Sequence, residues 1–228
     1  MFGGRGRVIV LALVVLLAIA VAACSDDGGS GADASVDSTP AVGGDGACDD
    51  LDPDHCLLPW PNDRFTVPDP STETGLRLAI PADGTPQNVD GVPVDVTDQN
   101  RADGFSPAST ILTFVPDVDL EVSGVAPSTD IGVSMDVDAP ITLTDLTTDE
   151  RWPYWAELDA PAPEGEQLLM IHPAVALTEA HRFEVAVDYL VQADGSPVAA
   201  DALRTWSFTV ASADSLSRRL RSMVAATG

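Results

Sequence analysis

The chain opens on one long apolar run and then changes rhythm twice. Val8 to Ala23 carries no charge, and Arg5 and Arg7 precede it. From Ser25 to Ala47 the pattern dissolves into Gly, Asp, Ser and Ala, with Val36 and Val42 the only larger apolar side chains. Apolar positions return after Cys48. Pro59, Pro61, Pro68 and Pro70 fix φ and forbid a helix, so this stretch is expected to run extended with Trp60 and Phe65 as buried anchors. Leu76–Ile80 reads as a strand, Pro81–Gly84 as a turn, Val92–Val94 as a second extended piece and Asp103–Pro107 as a loop. Beyond Ser109 the pattern is plainly β. Ile111–Val115 is a short apolar run between Pro107 and Pro116. Ile131, Val133, Met135 and Val137 alternate with polar or small residues, which predicts a strand buried on one face, and Ile141 and Leu143 repeat the alternation. Leu168–Ile171 is apolar on both faces and so predicts a central strand. Phe183, Val185, Val187 and Tyr189 alternate, Asp194-Gly195 makes a turn, and Trp206, Phe208 and Val210 alternate again. The period then lengthens: Leu216, Leu220, Met223 and Val224 fall on one helical stripe, with Ser212 or Ser215 able to cap its start. Arg218, Arg219 and Arg221 gather near its end, where they complement the helix dipole. Such a stripe is expected to pack on the sheets.

These elements predict an all-β protein: a sandwich of short strands with an extended Pro-rich N-terminal segment and one C-terminal helix. No βαβ rhythm is present. The expected boundaries are a leader over 1–23, a tether over 24–47, an extended and irregular segment over 48–108, the sandwich over 109–211 and the helix over 212–228.

The first run has the order of a secretory signal: basic, apolar, then small residues. Val8–Ala22 would span about 22 Å as a helix, short of the roughly 30 Å of a bilayer core. That length fits an uncleaved anchor helix poorly. Cleavage beside Ala20-Val21-Ala22 is a second reading, but it makes the cysteine that follows a coincidence. Ile19-Ala20-Val21-Ala22-Ala23-Cys24 resembles a bacterial lipobox. That resemblance implies that Cys24 becomes the lipid-bearing first residue, placing the protein outside the cytoplasm and anchored to a bacterial membrane, in the periplasm or at the cell surface. Ser25–Ala47 lacks the apolar surface to offset ordering entropy, and a coil of its 23 residues spans on average roughly 26 Å.

Charge narrows the partners. All 36 acidic residues lie beyond Cys24, against 9 of the 11 basic ones, a net −27 from Cys24 onward; every basic residue is arginine. Nucleic acid needs a basic footprint and is excluded as a partner. The same balance argues against the body lying flat on anionic lipid. It favours solubility and can attract divalent cations, and a halophilic habit would give the same excess.

Candidate chemistry is sparse. Cys48 and Cys56 bracket Asp49–His55, and an exported context permits a disulfide between them, the alternative being two free thiols. Asp50, Asp52 and Asp54 alternate as at the start of a calcium loop, but the glycine and distal Glu of that motif are missing, so a solvated acidic loop is the plainer reading. Calcium there is the one cofactor candidate. Asp117/Asp119 and Asp136/Asp138 are i, i+2 pairs expected on one strand face, able to hold a cation or simply to meet solvent. No G-x-S-x-G elbow occurs. The nearest approach is Gly104-Phe105-Ser106-Pro107, where Pro107 removes the N–H that would line an oxyanion hole. His55, His172 and His181 are the only possible histidine bases and read as loop or strand-end residues. Arg151-Trp152-Pro153-Tyr154-Trp155 falls between the expected strands. Trp152, Tyr154 and Trp155 suit a sugar or protein partner if exposed, whereas a sandwich core would absorb them.

Three motifs, Cys56-Leu57-Leu58-Pro59-Trp60-Pro61-Asn62-Asp63, Asp103-Gly104-Phe105-Ser106-Pro107 and Trp206-Ser207-Phe208-Thr209-Val210-Ala211-Ser212, together resemble the N-terminal region of bacterial virulence-factor lipases. Leu169–Val198 is similar to bacterial Ig-like domains, which implies an Ig-like form for the sandwich. In the lipase family this region precedes an α/β-hydrolase domain that carries the catalytic serine. The chain ends where that domain would begin, and only Ser196–Thr205 separates the Gly195 turn from the third motif, a shorter span than is usual. The resemblance implies a non-catalytic accessory module with a binding or structural role, partnered by the membrane, by a separate hydrolase domain or by a surface protein or glycan. The alternatives are the remnant of a lipase or esterase and a calcium-stiffened adhesion protein.

Overall fold

A computed structural model describes residues 56–163 and 165–226. Two antiparallel sheets supply the frame. One has three strands in the order β3 (Ile111–Phe114), β7 (Leu168–Pro173), β6 (Tyr154–Leu158); the other has four, β5 (Glu150–Arg151), β4 (Ile141–Asp145), β8 (Arg182–Val187) and β9 (Thr205–Thr209). A small hairpin-like pair, β1 (Thr66–Pro68) with β2 (Leu76–Leu78), precedes them. The period of two read from the sequence is the period of burial. Ile141 and Leu143, Phe183, Val185 and Val187, and Phe208 from one sheet share a continuous core with Ile111, Leu169, Ile171 and Tyr154 from the other. The Tyr154 hydroxyl donates to the Ile141 carbonyl at 2.9 Å, a hydrogen bond from one sheet to the other.

β7 pairs on both edges, with Leu169 opposite Thr113 and Leu158, the central place expected for it. The Asp194-Gly195 turn is also as expected: Gly195 takes φ +80, and Ser196 N–H donates to Asp194 Oδ1 at 2.9 Å.

Two expectations fail in instructive ways. The alternation over Ile131–Val137 is not a strand; Ile131–Met135 wind into a 3₁₀ helix, with Met135 and Val137 exposed and Ser134 buried. The Ser134 hydroxyl donates to the Ile131 carbonyl at 2.7 Å and accepts from the Tyr154 N–H at 3.1 Å. A side chain that bonds its own backbone competes with a strand ladder, and here it prevails. Conversely, the aromatic stretch Arg151–Trp155, read as lying between strands, holds the end of β5 and the start of β6. Pro153 lies between them, where the chain passes from the four-stranded to the three-stranded sheet.

The Pro-rich N-terminal segment is a strap across strand edges. Trp60 bridges Leu112 of edge strand β3 with N···O distances of 2.9 and 2.7 Å, and Phe105 bridges Val210 just past edge strand β9. Both edges are thereby partly covered, as exposed sheet edges need to be. Rings continue the strap into the core: Trp60 meets Phe105 edge-on at 5.0 Å, and Phe105 meets Phe208 edge-on at 6.3 Å.

α1 (Ala213–Ala226) begins where expected, with the Ser212 hydroxyl accepting from the Ser215 N–H at 3.1 Å. The expected packing of its stripe on the sheets does not occur: Leu216, Leu220, Met223 and Val224 are all exposed. Among the described residues no helix is long and apolar enough to cross a membrane. The leader, Cys24, the tether, Cys48, His55 and the Asp50, Asp52 and Asp54 loop lie outside the described residues.

Candidate functional site

The three motifs meet in space, around β9 and the turn into α1. Asn62 caps a short 3₁₀ turn over Asp63–Phe65, accepting from Arg64 N–H at 2.9 Å, and this holds Asp63 against β9. Asp63 Oδ1 accepts from Thr209 N–H at 2.7 Å, and Oδ2 accepts from Thr209 Oγ1 and Arg182 Nε, both at 3.1 Å. Burial pushes the Asp63 carboxyl up from its ordinary value; the Arg182 charge and the bonds from Thr209 and Arg182 oppose this without cancelling it. Trp206 Nε1–H donates to the Pro61 carbonyl at 2.9 Å. The second motif docks one step further along. Buried Asp103 accepts from Ser212 N–H at 3.0 Å and from Ser212 Oγ at 2.7 Å. A Cβ on Gly104 would stand 2.6 Å from Ala211 N and 2.7 Å from Thr209 O, so only glycine lets the two backbones approach this closely.

Beside this junction runs a groove of about 760 Å³, walled by Val67, Pro68 and Leu76 on one side and by Thr147, Arg182 and Ser207 on the other. Its charged groups are Asp63, Arg64 and Arg182, and Arg182 is held by Asp63 and by a 2.6 Å bond from Nη2 to Ser207 Oγ. A guanidinium among hydroxyls with an apolar wall suits a ligand with one polar or anionic end and a hydrocarbon body.

Next to it lies the one carboxylate–imidazole pair with short geometry among the described residues. His181 Nδ1 stands 2.7 Å from Asp145 Oδ2, and the Asp145 side chain is only 1% exposed. Burial pushes Asp145 up, but the hydrogen bonds from His181 and Thr147 and the His181 charge outweigh it and hold the carboxyl below its ordinary value. An ionised carboxylate takes its bond from Nδ1–H and so fixes the tautomer of the ring. Among the described residues no hydroxyl or thiol hydrogen-bonds to His181. Ser106 is elsewhere engaged, its Oγ accepting from Ala108 N–H at 3.2 Å in a turn. His172 stacks on Trp155 at 4.0 Å and lies 3.4 Å from Glu157, with Thr110 Oγ1 3.5 Å from Nδ1.

The aromatic candidates do not form one site. Tyr154 is fully buried, and burial pushes its hydroxyl far above the ordinary tyrosine range. As the next residue of β6, Trp155 points to the opposite face. Trp152 packs edge-on against Phe183 at 5.4 Å and donates from Nε1 to the Val175 carbonyl at 3.0 Å. Around Trp152 lies a shallow pocket shared with Arg151, Pro153 and Val175. The acidic pairs are not on strands either. Asp117 sits at φ +57 in the turn after β3, and Asp119 accepts from Val122 N–H at 2.9 Å. Asp136 and Asp138 are exposed at the end of the 3₁₀ helix. Among the described residues no group of three or more His, Cys, Asp or Glu side chains is arranged to hold a metal.

The sequence reading missed Asp63, Asp145 and Arg182 as participants. Asp145 had a signal: it occupies the inward position after Ile141 and Leu143, where a carboxylate must find partners. No protein family, curated protein or solved structure matches the chain.

Proposed function

We propose that the protein is a lipid-anchored, extracytoplasmic β-sandwich module of Ig-like form, non-catalytic by itself, with the binding or structural role of an accessory region to a secreted lipase or esterase. The carrying observation is the convergence of the three motifs on one junction. Asp63, Asp103, Gly104, Trp206 and Ser212 are all used to lock the strap and α1 onto β9, a task that gives these residue types a purpose without a reaction. In this reading Cys24 bears the acyl group, Cys48 is the disulfide partner of Cys56, and the membrane is the constant partner. The groove beside Arg182 is where a ligand or a hydrolase segment docks.

Two measurements test the proposal. Mass spectrometry of the N-terminal peptide from membranes is expected to find Cys24 diacylated or triacylated, and an unmodified Cys24 overturns the anchor. Purified full-length protein is expected to leave p-nitrophenyl esters uncleaved; turnover abolished by Ser106→Ala or His181→Ala overturns the non-catalytic role. The Asp145–His181 pair favours a second reading, the remnant of an esterase, and the His181→Ala arm of the assay separates the two.

A further inference from the structure

Helix α1 is fastened at its start. The Ser212 cap and a 3.3 Å bond from Asp103 N–H to Ser215 Oγ hold its first turn, and from Leu216 onward its apolar stripe faces away from the core, with Leu216 45%, Leu220 62% and Met223 53% exposed. Burying such side chains is favourable in proportion to their area, so a row of them presented in register marks a surface made to be covered. The charge beside the row is opposite to that of the rest of the chain. Three of the nine arginines beyond Cys24 fall within residues 218–221, and with Asp214 as the only acid the helix carries +2 on a chain of net −25. On its polar side Arg218 and Arg221 both reach Asp214.

We infer that α1 is an interfacial helix that lies on an anionic lipid surface, stripe inward, while the acidic body stands off. An aliphatic face beneath a basic polar face is the pattern of helices that rest in the headgroup plane, where long arginine stems keep their charge at the phosphates. A second copy of the chain is the less suitable cover, since each copy repels the other through its large like charge. The body's charge also opposes an anionic bilayer, but screening over about 8 Å at physiological salt lets a local cationic element act on its own. This inference deepens the membrane placement proposed above and gives the protein a second, lipid-selective contact.

The test follows peroxide oxidation of Met223 in the full-length protein, with Met135, 45% exposed on the 3₁₀ helix, as internal reference. The protein is mixed with phosphatidylcholine vesicles or with vesicles that also contain phosphatidylglycerol. Anionic vesicles are expected to slow Met223 oxidation while Met135 is unaffected. Each arginine is worth roughly fivefold in affinity for an anionic surface, so R218Q/R221Q is expected to cost about 25-fold and to restore Met223 reactivity. Equal Met223 rates with and without phosphatidylglycerol overturn the inference. So does protection that grows with protein concentration in the absence of vesicles, which would make a second copy the cover. Acyl anchoring predicts flotation on both vesicle types. Flotation on both with Met223 unprotected sinks the helix contact and leaves the anchor; protection on anionic vesicles without flotation on neutral ones does the reverse.

Discussion

Gly104 is the tightest residue of the molecule's central junction. Any side chain there meets backbone rather than a movable side chain, since Ala211 N, Thr209 O and Val210 C all lie within 2.7 Å of the point a Cβ would occupy. Gly104→Ala must therefore push the strap off β9, and we expect a loss of roughly 2–3 kcal/mol in urea denaturation. Asp145 answers to pH instead. Its carboxyl is held below the ordinary value in the folded protein, so the unfolded chain takes up its proton first as acid is added. The stabilisation is thus fully present above about pH 4, the ordinary aspartate range, and is lost as pH falls through the lower folded value. The stability difference between wild type and Asp145→Asn is expected to shrink as pH falls below 4. A difference that widens in acid would show that the pair is not formed.

At the scale of elements, the joint between sheet and helix rests on one hydroxyl. Ser212 donates to Asp103 and accepts from Ser215 N–H, so Ser212→Ala removes a cap and strips a buried carboxylate of a partner. A loss of about 2–3 kcal/mol is expected, together with faster amide exchange over the first turn of α1. The strands that could be read from the sequence are those whose alternation is set by the core. β4, β8 and β9 show it along their whole length, and β7 advertises its central place by having no polar face. Where local chemistry competed, the pattern misled: Ser134 bonds its own turn and bends an alternating stretch into a 3₁₀ helix. β5 and β6 were hidden because Pro153 punctuates them, and a crossover between two sheets leaves the same mark as a loop. The helix was legible in period and cap but not in its surroundings, since an apolar stripe states a need for cover without naming what provides it. The candidate site was the least legible part. Asp63 and Arg182 meet across 119 residues of sequence, and no spacing rule reaches that far.

Taken whole, the molecule spends its conspicuous motifs on closure. The strap ties the edge of one sheet at Trp60 and the edge of the other at Phe105, and its carboxylates reach Thr209 and Ser212. Apart from Trp60 on Leu112, these contacts join positions separated by more than a hundred residues, 146 for Asp63 and Thr209. A chain made from its N-terminus delivers the strap well before the strand that anchors it. Until residue 212 has emerged the strap's carboxylates, Asp63 and Asp103, lack their partners, and distant pairing of this kind is slow to close. The junction must therefore stay unlocked until both the strap and residues 205–212 have been made, whatever else of the fold has formed by then.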